Sequence, residues 1–155
     1  TTPDDTWETA QDLGELTDDD GASAKTFEGN IWGESDEDWF KMTVKDTVGH
    51  DLKAIIDLTD LAEDKDIDVE ICWICAKGEV AGAKVEPTDS TMEVDPSMEG
   101  ARCFVALNLS GMAEHLEFTP TCTDNGQDDS GTAYIRVIPA SWYDCGSRYT
   151  LKFHM

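Results

Sequence analysis

Apolar residues recur at every second position in six separate stretches of this chain, and no segment sustains the 3.6-residue period of a buried helix face. In Asp38-Trp39-Phe40-Lys41-Met42-Thr43-Val44, one face carries Phe40, Met42 and Val44 and the other Lys41 and Thr43. Leu52, Ala54, Ile56 and Leu58 repeat the pattern, as do Ile67, Val69, Ile71 and Trp73 against Asp66, Asp68, Glu70 and Cys72. Cys103, Val105, Leu107 and Leu109 mark a two-sided apolar strand. Ala133, Ile135 and Val137, then Tyr149, Leu151 and Phe153, complete the set. Such strands bury one face and wet the other, as antiparallel sheets do. Weaker strand signals lie at 26–31, 91–94 and 116–121, separated by acidic stretches rich in Gly, Asn and Asp that suit turns. The pattern predicts an all-β fold, an antiparallel β-sandwich of jelly-roll or Greek-key type with about eight or nine strands. Residues 5–13 are the only helical candidate.

The chain has 155 residues, which fits a single sandwich domain spanning 1–155. Its 34 Asp and Glu against 11 Lys and Arg give a net charge of −23. That charge repels nucleic-acid phosphates and anionic membrane surfaces, and it suits divalent cations, basic partners or plain solubility. No apolar run approaches the ~20 residues of a membrane-spanning helix. Five cysteines, Cys72, Cys75, Cys103, Cys122 and Cys145, are spread too widely for a compact zinc site. Two disulfides with one thiol left over is the reading expected of an exported protein, secreted or held at the cell surface.

Nothing in the sequence resembles a catalytic set. His50, His115 and His154 stand far apart, and no metalloprotease helix, nucleophile elbow, P-loop or dinucleotide fingerprint occurs. The expectation is therefore a protein without catalytic residues. Cys72-Trp73-Ile74-Cys75 has redox spacing, yet it ends a strand pattern rather than opening a helix. On a continuing strand Cys72 and Cys75 point to opposite faces. Cys72 is thus expected to be the unpaired thiol and Cys75 structural. The sequon Asn108-Leu109-Ser110 sits in an apolar stretch and reads as coincidental. Trp32, Trp39 and Trp142 are expected to pack rather than to face a ligand.

Several stretches, taken in order, resemble the bacterial pre-peptidase C-terminal domain. They are Pro3-Asp4-Asp5-Thr6-Trp7-Glu8-Thr9-Ala10, then Gly29-Asn30-Ile31 leading to Asp36-Glu37-Asp38-Trp39-Phe40-Lys41-Met42, then Asp66-Ile67-Asp68-Val69-Glu70-Ile71. Gly131-Thr132-Ala133-Tyr134-Ile135-Arg136-Val137 and Ser147-Arg148-Tyr149-Thr150-Leu151 close the series. The resemblance implies a jelly-roll-like sandwich that serves as an accessory module of secreted proteins, some relatives binding collagen and calcium. By position it implies calcium ligands at Asp4, Asp5, Asp36 and Asp38, with Glu8, Glu34 and Ser35 as supplements. An all-oxygen set is what Ca²⁺ requires. Thr2 stands where the family has an opening glutamate, which removes one ligand.

The cysteines exceed the family pattern. Cys122 with Cys145, and Cys75 with Cys103, are the expected pairs, though four cysteines allow three connectivities and five allow more. The expected function is a non-catalytic extracellular binding or accessory module, stabilised by calcium, whose partner is an extracellular protein or polysaccharide. The alternative is a structural subunit of an extracellular filament, tube or surface layer, which binds copies of itself through an exchanged N-terminal arm.

Overall fold

Among the described residues eleven strands form, because the alternating segments find one another across two sheets. The computed structural model describes residues 4–18, 24–47, 51–62, 64–107, 112–123, 128–141 and 147–155. After a 3₁₀ turn at Trp7–Thr9 come β1 (Gln11–Thr17), β2 (Ala24–Ile31), β3 (Asp38–Lys45), β4 (Ala54–Thr59) and β5 (Asp66–Cys75). They are followed by β6 (Val80–Glu86), β7 (Thr91–Val94), β8 (Arg102–Ala106), β9 (Glu114–Cys122), β10 (Gly131–Ser141) and β11 (Ser147–His154). One six-stranded sheet has the order β1-β3-β10-β5-β8-β7, and a five-stranded sheet has the order β2-β11-β4-β9-β6. From β2 to β6 successive strands alternate between the sheets, and every ladder is antiparallel except β1 on β3. The architecture is the expected all-β sandwich, with two strands more than the upper expectation.

The inner faces are those the alternation assigns. Phe40, Met42 and Val44, with Ile67, Val69, Ile71 and Trp73, and Ala133, Ile135 and Val137, meet Ile56, Leu58, Leu116, Phe118, Tyr149, Leu151 and Phe153 in one buried core. Each such side chain contributes roughly 1.5–3 kcal/mol of transfer free energy.

The expected helix at 5–13 is instead a short 3₁₀ turn followed by β1. Strand β1 hides its period because a register shift falls between Asp12 and Glu15, where Gly14 has φ +88°. Its apolar residues Leu13 and Leu16 are thereby three apart yet both buried. Strand β6 is hidden in the same way, by a register shift between Val80 and Gly82.

The six-stranded sheet is covered on its outer face as well. Trp39, Cys72 and Cys103 pack there with Met98 and Ala101, and with Trp7, Val94 and Tyr134. Trp7 meets Tyr134 edge-on at 6.2 Å between ring centroids. Arg136 lays its guanidinium over Trp39 at 5.3 Å.

Among the described residues two disulfides are present, and they correct the expected pairing. Cys72 joins Cys103, its direct cross-strand partner, and Cys75 joins Cys122. The opposite-face expectation for Cys72 and Cys75 holds, since Cys72 lies in the outer cluster and Cys75 in the core. Cys72 is therefore bonded rather than free, and Cys75 crosses to the facing sheet. Cys145 lies outside the described residues, as do His50, Trp142 and the Asn108 sequon. Opening the Cys75–Cys122 loop by a Cys75→Ala, Cys122→Ala double change is expected to cost about 2–4 kcal/mol. Thermal melting read by circular dichroism checks this, with a fall of roughly 2–4 °C per kcal/mol for a domain of this size.

Candidate functional site

At the end of the sandwich where β3 begins, ionisable groups enter the interior. Asp38 opens β3 on the core-facing parity of Phe40 and Met42 and is only 5% exposed. Its carboxylate accepts a hydrogen bond from the Tyr149 hydroxyl, which arrives from β11 in the facing sheet. That bond joins the two sheets. Asp4 is brought alongside because its carbonyl accepts the Trp39 backbone N–H at 2.9 Å. Asp4 is 8% exposed, and its Oδ1 is buried with no hydrogen-bond partner.

Burial pushes the Asp38 carboxyl up to about 6; the Tyr149 bond opposes the rise, and the charges of Asp4, Asp36 and Asp5 reinforce it. Burial beside the same carboxylates raises the Tyr149 phenol, so the hydroxyl keeps its proton and donates. A cavity of about 220 Å³ opens here, lined by Asp4, Asp38, Tyr149, Glu28, Asn30 and Trp32 among others. Trp32 is 58% exposed, so it does not pack as expected, whereas Trp39 does.

Of the four expected ligands, Asp4 and Asp38 share this cavity. Asp36 sits beside it with Oδ2 accepting the Trp32 backbone N–H at 2.6 Å. Asp5 is exposed and reaches Asp38 only through its charge. Glu8, Glu34 and Ser35 are exposed and do not line the cavity, whose further oxygen donors are Gln11 from β1 and Glu28 and Asn30 from β2. The donor set is entirely oxygen, and a buried carboxylate oxygen without a partner is what a bound cation would satisfy, so these residues fit calcium. The carboxylates of Asp4, Asp36 and Asp38 do not converge to within 4.8 Å of one another. Backbone carbonyls, Asn30 and water would have to complete the shell. Among the described residues the one tighter group is Glu70, Cys72 and Cys103, where the disulfide consumes both sulfurs.

Tyr149 and Gly29 are the site residues that sequence reasoning missed. They face each other across the β2–β11 ladder, and the tyrosine ring lies directly over the glycine. A Cβ at position 29 would collide with the Tyr149 phenol. The signal was present in Gly29-Asn30-Ile31 and Tyr149-Thr150-Leu151, which were read for fold alone.

A second polar group lies on the outer face of the five-stranded sheet. Asp57 is held between His115 Nδ1 at 2.6 Å and His154 Nε2 at 3.1 Å. Burial would raise the Asp57 carboxyl, but the hydrogen bonds to His115 and His154 outweigh it and hold the group below the usual carboxylate range. These three residues sit on neighbouring strands, and Asp57 is satisfied by the imidazoles, so the group reads as a structural hydrogen-bonded cluster.

No protein-family model matches the chain, and no curated protein sequence matches it significantly.

Gly29→Ala is expected to destabilise by roughly 1–3 kcal/mol through overpacking against Tyr149. In a Tyr149→Leu background, where the ring is gone, the same change should cost much less, a non-additivity that urea unfolding of the four proteins measures. Asp57→Asn is expected to cost under about 1 kcal/mol, because the carboxylate is partly exposed. A depressed native pKa stabilises above the unfolded value of about 4 and is lost as pH falls through the folded one. The gap between Asp57→Asn and the parent should therefore close below about pH 4 in pH-dependent urea unfolding.

Proposed function

We propose that this chain is a non-catalytic extracellular binding or accessory module whose sandwich is stabilised by calcium at the Asp4–Asp38 cavity. The observation that carries the reading is the buried Asp4 oxygen with no partner beside a second buried carboxylate, in a cavity offering only oxygen donors. Two such groups in a sandwich interior are costly unless a proton or a cation compensates them. The resemblance to pre-peptidase C-terminal domains supports the same residues from sequence. Two disulfides support an oxidising compartment and hence export. Among the described residues no helix is long and apolar enough to cross a membrane.

The filament-subunit reading depends on an N-terminal arm offered to a neighbour. Here β1 pairs in parallel with β3 of its own chain, and Asp4 is tied to Trp39. That docking favours the module.

Calcium in excess should raise Tm over that in chelator, since a ligand that binds only the native state stabilises it by about 2.7 kcal/mol at one hundred times Kd. For a domain of this size that is on the order of 5–10 °C. Asp38→Asn keeps an acceptor for Tyr149, so the variant should fold, melt no lower than the parent in chelator, and show no calcium response. Coincident melts of the parent in calcium and in chelator would overturn the calcium reading.

A further inference from the structure

Strand β5 places a second buried carboxylate on the opposite side of the six-stranded sheet. Asp68 has the outward parity of Glu70 and Cys72, yet it is only 8% exposed. Its cross-strand neighbour on β10 is Ile138, and Leu107 follows the end of β8 on the other side. No hydrogen bond or ion pair reaches the Asp68 carboxylate among the described residues. Burial, reinforced by the charge of Asp66, pushes it up to about 7.

The nearest cation does not serve it. Arg136 is committed to Glu70 Oε2, at 3.1 Å, and to Glu37, whose Oε2 accepts its Nε at 2.9 Å. Asp68 lines an open groove of about 340 Å³ with Leu107, Ile138, Asp95, Ser97 and Arg136. The groove thus sets apolar walls, Val94, Val105, Leu107 and Ile138, against the Asp68 carboxylate, with the Glu70 carboxylate beside it held by Arg136.

We propose that this groove is a binding site for the side chain of a lysine on a protein partner, with Asp68 as the counter-ion of its ammonium. The apolar walls match the tetramethylene stem, and the compact head brings N–H donors to Asp68 in a groove that Asp95 and Ser97 also line. An arginine fork, with five donors in a fixed plane, would bring a second guanidinium beside Arg136, which already occupies Glu70. The net charge of −23 draws a basic partner toward the surface, and the buried carboxylate gives the encounter a specific anchor. The proposal rests on the binding-module reading, names its ligand chemistry, and does not require calcium.

The test is NMR titration of the Ile138 and Leu107 methyls, near pH 8, with Nα-acetyl-lysine methylamide. Saturable shifts are expected with the lysine probe and not with Nα-acetyl-leucine methylamide. Asp68→Asn should weaken binding roughly tenfold or more, since a charge-assisted hydrogen bond is lost. The variant should keep the parent spectrum elsewhere, as it removes a buried charge. Asp57→Asn, which removes a carboxylate from the outer face of the other sheet, should bind the lysine probe like the parent. Equal shifts with the leucine probe, or undiminished binding by Asp68→Asn, would overturn the site. Loss of binding in Asp57→Asn as complete as in Asp68→Asn would overturn it too, because the shifts would then report general charge attraction or the fold. Cadaverine binding roughly tenfold more tightly than the blocked lysine would overturn its assignment to a protein side chain.

Discussion

Both faces of the six-stranded sheet are covered, and most of what is unusual in this molecule follows from that. The five-stranded sheet covers the inner face, while residues from the β7–β8 connection and the N-terminal turn cover much of the outer one. Strand β5 lies inside this sheet, between β10 and β8, so residues of either parity lose water. At odd positions that is favourable, since Ile67, Val69, Ile71 and Trp73 are apolar. At even positions it places Asp68, Glu70 and Cys72 where desolvation must be offset. Cys72 is satisfied by its disulfide, Glu70 by Arg136, and Asp68 by no described residue.

Glu37 and Glu70 show how burial decides between effects that share a partner. Both bind Arg136, yet the Glu37 carboxyl is held low and the Glu70 carboxyl is raised. Burial raises both. For the more exposed Glu37 the hydrogen bonds from Arg136 and Trp39 prevail, whereas for the nearly enclosed Glu70 desolvation exceeds what one guanidinium returns. Asp38 follows the same rule at the other site, where a single phenol opposes burial and three neighbouring carboxylates.

The alternation revealed the sandwich because side-chain parity is a local property, carried by residues such as Phe40, Met42 and Val44. It failed for β1 and β6 for an equally local reason, since the register shifts near Gly14 and Gly82 put their apolar residues out of phase. The expectation that Cys72 and Cys75 face opposite ways was legible from parity as well. Their partners were not, because the pairing depends on β5 lying beside β8 and opposite β9, and sheet order is set by contacts distant in sequence. The same limit hid Tyr149, whose reach to Asp38 exists only when β11 faces β3. Asp68 was misjudged more simply: Asp66-Ile67-Asp68-Val69 looks like a strand with one wet face, and nothing local announces that the outer face is closed over.

The two disulfides of β5 also change what a broken backbone would mean. One ties the strand to its neighbour in the sheet, and the other ties it to the opposing sheet, so the chain between Cys75 and Cys103 is bridged outside both of its ends. Along that stretch, which includes β6, β7 and the connections flanking them, the covalent path is redundant. A single cut there leaves the fragments bonded and the rest of the sandwich held in register, a form of damage tolerance placed where the chain makes its most exposed excursions.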